Sequence, residues 1–408
     1  PPRSTLFPYT TLFRSPNVVR QCNKKVKFAV IFTSGFAESG DHKLDQDLRD
    51  AINSGDTQII GPNGLGIINP YSKLTVFPEW PLFPGNISYI AQSGGTMARL
   101  YFFLGTLGIG FHHVVSIGNA YGISFSRLIE HFAEDPKTNS IALYLESVPN
   151  GREFMEVAKK VTPKKPIVLW KGGQTDSGVK AAFSHTGGLG GMYEVWKGMC
   201  QQAGIMLADY FELFLDLTQV ATIRPIAPKN LNVAIVVAGG GIGVEFTDAF
   251  EKSGLQVPRL SQETQDALGE IFPGVNTNFK NPVDLGEYGY VPNLFAQALE
   301  IIIKDPKIGS VVFVREPERF PLLSQNLGIK DPMTLTLNTL LPIFKEHQKP
   351  VFCNPSQNAE TEESFKLRHT FQLAMIKAGI PVINYMKNIP QIIQQLYNYG
   401  RFCDQNNK

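Results

Sequence analysis

Residues 87–103 read ISYIAQSGGTMARLYFF, and this stretch decides the fold class. A short apolar run enters a glycine turn and leaves as an amphipathic segment, the signature of a buried parallel strand feeding a helix. Residues 232–250, NVAIVVAGGGIGVEFTDAF, repeat the same order. Both turns set free backbone N–H groups at a helix start, where an anion can bind. Neither turn is a G-x-G-x-x-G fingerprint, so neither indicates a dinucleotide.

Outward from these two stretches, short β-branched runs alternate with helical periods from residue 27 onward. Candidate strands fall at 27–32, 87–91, 114–117, 141–145, 167–170, 233–238, 310–314 and 350–353. Phe125, Leu128, Ile129 and Phe132 lie at i, i+3, i+4 and i+7 behind a capping Ser124, and Phe154, Val157, Ala158 and Val161 repeat that spacing. The chain is therefore expected to be α/β, with parallel sheets covered by helices.

Two composition shifts divide it. Residues 70–84 (PYSKLTVFPEWPLFP) hold four prolines, and residues 224–230 (RPIAPKN) precede a fresh strand. The expected segments are 16–80, 84–225 and 231–408. The first holds about one strand–helix–strand piece, short of a complete doubly wound domain. Residues 1–15 (PPRSTLFPYTTLFRS) show neither period, resemble translated sequencing adaptor, and are set aside as non-native.

Composition narrows the function classes. Of 408 residues, 43% are hydrophobic and 18% charged, ordinary globular values. The 38 Lys+Arg against 36 Asp+Glu leave a formal charge of +2 with no basic block, which disfavours a nucleic-acid partner. No run of 18 apolar residues and no secretory pattern is present, so no membrane span and a cytoplasmic location are expected. Cys22, Cys200, Cys353 and Cys403 are scattered, which argues against disulfides and a structural zinc site; no metal ligand is assigned.

Residues 173–180 (GQTDSGVK) come near a phosphate-binding P-loop, but Val179 occupies the lysine position and Ala181 follows Lys180. Among seven histidines, His185 stands apart. It sits in AFSHTGGLGG, whose small residues let a large ligand and the backbone approach closely. His112 and His113 lead into a strand, and the others lie in polar or helical segments.

FSHTGGLGG, preceded by KPIVLWKGGQTDSGVKAA, resembles the phosphohistidine loop of the ADP-forming (NDP-forming) acyl-CoA synthetases, relatives of succinyl-CoA synthetase. AVIFTSGFAESG, GPNGLGIINP, ISYIAQSGG, VSIGNA, IALYLES, AGGGIG and NPVDLG follow in family order, so the resemblance covers most of residues 27–320. It implies a partial Rossmann-like CoA-binding domain followed by two flavodoxin-like domains of succinyl-CoA synthetase type.

The implied chemistry passes a phosphoryl group from acyl phosphate to His185 and then to ADP. Such an imidazole needs a carboxylate on its second nitrogen, a role that falls to Glu146 at the end of an apolar strand. Ser93, Gly94, Gly95 and Thr96 of one glycine turn, with Gly240 and Gly241 of the other, would cradle the phosphate; Ser34, Gly35 and Asn63 would border CoA. ADP or ATP with Mg²⁺ would be held by ATP-grasp domains on a β subunit or fused segment. The chain departs from the family pattern at Gly64, where GPNCLG is usual, at Gly122 and Ser124, where acidic residues are usual, and at Tyr193. A non-catalytic acyl-CoA sensor, or the regulatory part of a protein acyltransferase, are the alternatives.

Overall fold

The computed structural model describes residues 14–186 and 191–406, with the side chains of 183–186 outside that description. Two compact units result, one running to Thr218 and the other spanning Gln219–Asn406.

In the first unit, β1 (Phe28–Val30) and β2 (Gln58–Ile60) form a parallel pair. β3 (Gly66–Ile68), β4 (Pro84–Ala91), β5 (Phe111–Ser116), β6 (Ser140–Leu145), β7 (Ile167–Lys171) and β8 (Met206–Ala208) build one sheet in the order β3-β5-β4-β6-β7-β8. Every pairing in it is parallel except β3 with β5. Ile87, Tyr89, Ile141, Leu143, Ile167 and Leu169 are fully buried, as strands covered on both faces require. The expected stripe Phe125, Leu128, Ile129, Phe132 packs into this core, and Ser124 caps its helix by accepting from the Arg127 amide.

The second unit holds β9 (Val233–Val237), β10 (Val283–Asp284), β11 (Ser310–Arg315) and β12 (Val351–Pro355), all parallel, in the order β10-β9-β11-β12. Two of its helices follow beyond β12, Glu362–Lys377 and Asn388–Asn406.

The structure corrects the sequence reading in two respects. Residues 66–68, inside the expected 16–80 segment, form β3, an antiparallel edge strand on the sheet of the 84–225 segment, and residues up to Thr218 make one compact unit while 219–225 fall in the other. β2, β3, β8 and β10 were not anticipated; at two or three residues each they are shorter than the span over which alternation can be read.

Both sheets share a topology. β4 leads to β5 on one side and β6 lies on the other; β9 and β11 are related in the same way. The order in which strands are added thus reverses between β4 and β6, and between β9 and β11, and doubly wound sheets bind ligands outside the carboxyl ends of such strands. No helix among the described residues is long and apolar enough to cross a membrane.

Candidate functional site

At the first switch point the chain leaves β4 through Gln92 and Ser93 and enters the helix Gly94–Thr106. Ser93 caps that helix, its hydroxyl accepting from the Thr96 amide at 3.3 Å. Gly94 is forced by packing, since a Cβ there would lie 2.5 Å from Leu65 Cγ. Gly95 is not: it is exposed, and a Cβ would meet only Ser93 Oγ at 4.0 Å. The N-terminal amides at this turn are therefore accessible to an anion, whose charge the helix end favours.

Glu146 ends β6 directly opposite and is 3% exposed. Gln92 Oε1 accepts from the backbone amides of Glu146 and Ser147, the latter at 2.9 Å, and so fastens the two switch-point strands together. The Tyr144 hydroxyl donates to Glu146 Oε1 at 3.2 Å, and the Thr96 hydroxyl bonds to Tyr144 in turn. Burial, reinforced by the Glu146 charge, pushes the Tyr144 phenol well above its usual range, which keeps it a donor.

Lys171, which sequence reasoning passed over, closes β7 beside this pair. It is fully buried, and Nζ donates to the carbonyls of Gly172 and Gly173, the latter at 3.1 Å. Burial lowers its pKa to about 8, against the pull of Glu146. The visible signal was a lysine closing an apolar strand just before Gly-Gly. Gly172 is required here, because a Cβ would fall 2.5 Å from the Tyr144 hydroxyl and 3.0 Å from Glu146 Cγ.

The chain then turns into the helix Asp176–Thr186, which carries His185 and lies against the turn Ala37–Ser39. The His185 side chain and the glycines after it lie outside the described residues. Gly35 and Asn63 are joined in one network: the Gly35 amide donates to Glu38 Oε1 at 2.6 Å, Asn119 Nδ2 to Glu38 Oε2 at 2.8 Å, and Asn63 Nδ2 to Asn119 Oδ1 at 3.3 Å. Ser34 is exposed beside them. Asn119 belongs to VSIGNA, so three of the motifs meet here.

Two departures from the family pattern have steric causes. A Cβ on Gly64 would sit 2.4 Å from the Ser116 carbonyl oxygen, and one on Gly122 would sit 2.4 Å from that of Ile59. The close approach of residues 59–64 to the end of β5 and to the loop after it leaves no room for a cysteine at 64 or an acid at 122. Ser124 is used as a cap, and Tyr193 donates to Asp209.

Gly240 and Gly241 open the helix Gly240–Lys252 of the second unit, at its own switch point. Both are exposed, and a Cβ on Gly240 would lie 3.1 Å from Asp284 Oδ2. Opposite this turn stands Glu316, which accepts from the Tyr290 hydroxyl at 3.2 Å, Arg319 Nε at 2.6 Å and Asn358 Nδ2 at 3.0 Å. Continuing the strand registers sets Ser93 level with Glu146 and Gly239 level with Glu316, so the two units place a helix cap opposite a glutamate in the same way.

Comparison with known proteins agrees with this architecture. Residues 84–221 match the model of the succinyl-CoA ligase like flavodoxin domain. The chain is 33% identical over 297 residues to the acetate–CoA ligase [ADP-forming] II alpha subunit of Pyrococcus furiosus, covering 72% of this chain and 64% of that one. It is 37% identical over 276 residues to the acetate–CoA ligase [ADP-forming] of Methanocaldococcus jannaschii, covering 66% and 38% respectively. Among solved structures, the dinucleotide forming acetyl-coenzyme A synthetase 1 of Ca. Korarchaeum cryptofilum, in complex with phosphate and ADP, superposes with a TM-score of 0.79 at 27% identity, over 96% of this chain and 82% of that one. The chain spans less than two thirds of the length of these curated relatives. Residues 84–221 thus form a succinyl-CoA ligase like flavodoxin domain, and over most of its length the chain is similar to the ADP-forming acetate–CoA ligases.

Proposed function

We propose that the chain is the α portion of an ADP-forming acyl-CoA synthetase acting in the cytoplasm, with acetyl-CoA as the first thioester to test. A phosphate oxygen attacks the thioester carbonyl and the CoA thiolate leaves, giving acyl phosphate. A ring nitrogen of His185 then attacks phosphorus and releases the carboxylate. ADP finally takes the phosphoryl group, giving ATP and a free imidazole.

Glu146 would accept a hydrogen bond from the N–H of the second ring nitrogen of His185, fixing the tautomer and balancing charge when the ring is phosphorylated. The amides of Gly94 and Gly95, with Ser93 and Thr96 closing the turn, would hold phosphate oxygens, and Gly240 and Gly241 of the second unit would offer a cradle of the same kind. Gly35, Asn63 and Ser34 would border the thioester end of CoA. ADP and Mg²⁺ would be held by an ATP-grasp β subunit or fused domain, since the near P-loop of this chain lacks the lysine and hydroxyl that hold a nucleotide phosphate and Mg²⁺.

One observation carries the reading. A buried glutamate is fastened by Gln92 at the switch point, next to an accessible helix N-terminus. The test mixes the chain with its ATP-grasp partner and γ-labelled ATP. Acid-labile phosphate on the chain, absent in His185→Ala and reduced at least tenfold in Glu146→Gln, is expected. Labelling that survives in His185→Ala overturns the mechanism; no labelling of the wild type favours a sensor.

A further inference from the structure

The end of the first sheet opposite Glu146 carries a cluster of ionisable side chains. His112 and His113 open β5, about 13 Å from the end of that strand at ~3.3 Å per residue. Asp135 follows the helix Phe125–Glu134. One donor atom from each of the three lies within 4.8 Å of the others. Asp135 Oδ2 is 3.0 Å from His113 Nε2 and also abuts His112 Nδ1.

His112 is 8% exposed, and its buried Nδ1 abuts the same carboxylate oxygen that His113 Nε2 meets. Two imidazole nitrogens and one carboxylate oxygen thus converge on one point largely withdrawn from solvent, where a cation can take the place of the shared proton. The carboxylate is oriented from outside the cluster: the Lys137 amide donates to Oδ1 at 3.0 Å and the Thr138 hydroxyl to Oδ2 at 3.2 Å. Outer partners of this kind are what fix metal-binding carboxylates.

We propose that His112 Nδ1, His113 Nε2 and Asp135 Oδ2 form a Zn²⁺ site. Two imidazoles and one carboxylate suit zinc and its neighbours, whereas Mg²⁺ and Ca²⁺ call for all-oxygen sets. The His113 and Asp135 side chains are 19% and 13% exposed, an opening through which water can complete the coordination. Ligation by His113 Nε2 moves the ring proton to Nδ1, which faces Asn69 Nδ2 at 3.2 Å. The Asn69 amide must then turn to present its oxygen, at the cost of the 2.9 Å bond that oxygen accepts from the Ser72 amide. One surrendered hydrogen bond is small beside two zinc–imidazole bonds. The ion would pin the start of β5, the end of a helix and the 69–72 turn together, which is a structural role.

Chelator-treated full-length chain titrated with Zn²⁺ by calorimetry tests this, with Co²⁺ absorption reporting the ligand set. One equivalent bound at micromolar Kd or tighter is expected, with a higher Tm, and affinity falling at least tenfold in His112→Ala, His113→Ala and Asp135→Asn. His113→Gln, which retains a side-chain donor toward Asp135, guards against misfolding and should lose zinc while keeping the apo Tm. Absence of a stoichiometric site, or one that persists in the His112→Ala/His113→Ala double variant through other histidines, overturns the proposal.

Discussion

Gln92 Oε1 accepts the backbone amides of both Glu146 and Ser147. A side chain leaving one strand thereby satisfies two buried donors at the end of the next, and sets where the Glu146 carboxylate begins. Gln92→Ala strands both donors, each costing about 1–3 kcal/mol, so urea denaturation should show a loss of roughly 2–6 kcal/mol. Gln92→Glu keeps the acceptor but sets a second carboxylate beside Glu146. It should fold better than Gln92→Ala, yet label poorly in the phosphorylation assay. Equal stability of Gln92→Ala and wild type would remove the clasp from the account.

Adjacent glycines of the turn should separate packing from ligand access. Gly94→Ala drives a methyl against Leu65 Cγ at 2.5 Å, and overpacking of that kind costs about 1–3 kcal/mol. Gly95→Ala meets only Ser93 Oγ at 4.0 Å, so stability should hold or rise by up to about 1 kcal/mol. Yet, on the proposed phosphate site, that methyl would occupy the space an incoming phosphate needs. Gly95→Ala should therefore lose phosphohistidine formation while melting normally, and Gly94→Ala should show the reverse emphasis. Full labelling of Gly95→Ala would remove this turn from the phosphate site.

Gly64→Cys, which restores the residue usual in the family, should be harmful here. The new Cβ would lie 2.4 Å from the Ser116 carbonyl oxygen, and backbone cannot step aside as a side chain tip can. A loss of about 3 kcal/mol is expected in chemical denaturation. A neutral result would mean that the 61–66 loop shifts freely, and the steric reason given for this departure would fall.

The central strands and the two glycine turns were legible because long apolar runs and glycine spacing are local signals. Glu146 was legible for the same reason, as an acid closing the run IALYL. Gln92, Tyr144 and Lys171 were not, since their importance lies in which strand ends lie side by side, and sheet order is not written in any one segment. β3 went unseen at three residues. His112 and His113 read as the start of a strand; only the return of the chain at Asp135 gives them a shared partner.

Lys171 offers a pH test whose sign is fixed in advance. Its ammonium is fully buried, and burial lowers its pKa from 10.5 to about 8. In the unfolded chain the ordinary value returns, so between about pH 8 and 10.5 the unfolded state binds more protons, and this lysine's contribution to stability rises with pH across that window. Near pH 7 the folded state bears the full cost, about 3 kcal/mol from 1.36 kcal/mol per unit. Lys171→Met removes the charge but also the donor to the Gly172 and Gly173 carbonyls, so its absolute stability mixes two effects. The difference between variant and wild type does not: it should shift toward the wild type by about 3 kcal/mol between pH 7 and 10.5, measured by urea denaturation in steps of one pH unit. A difference independent of pH would mean that Lys171 keeps its ordinary pKa.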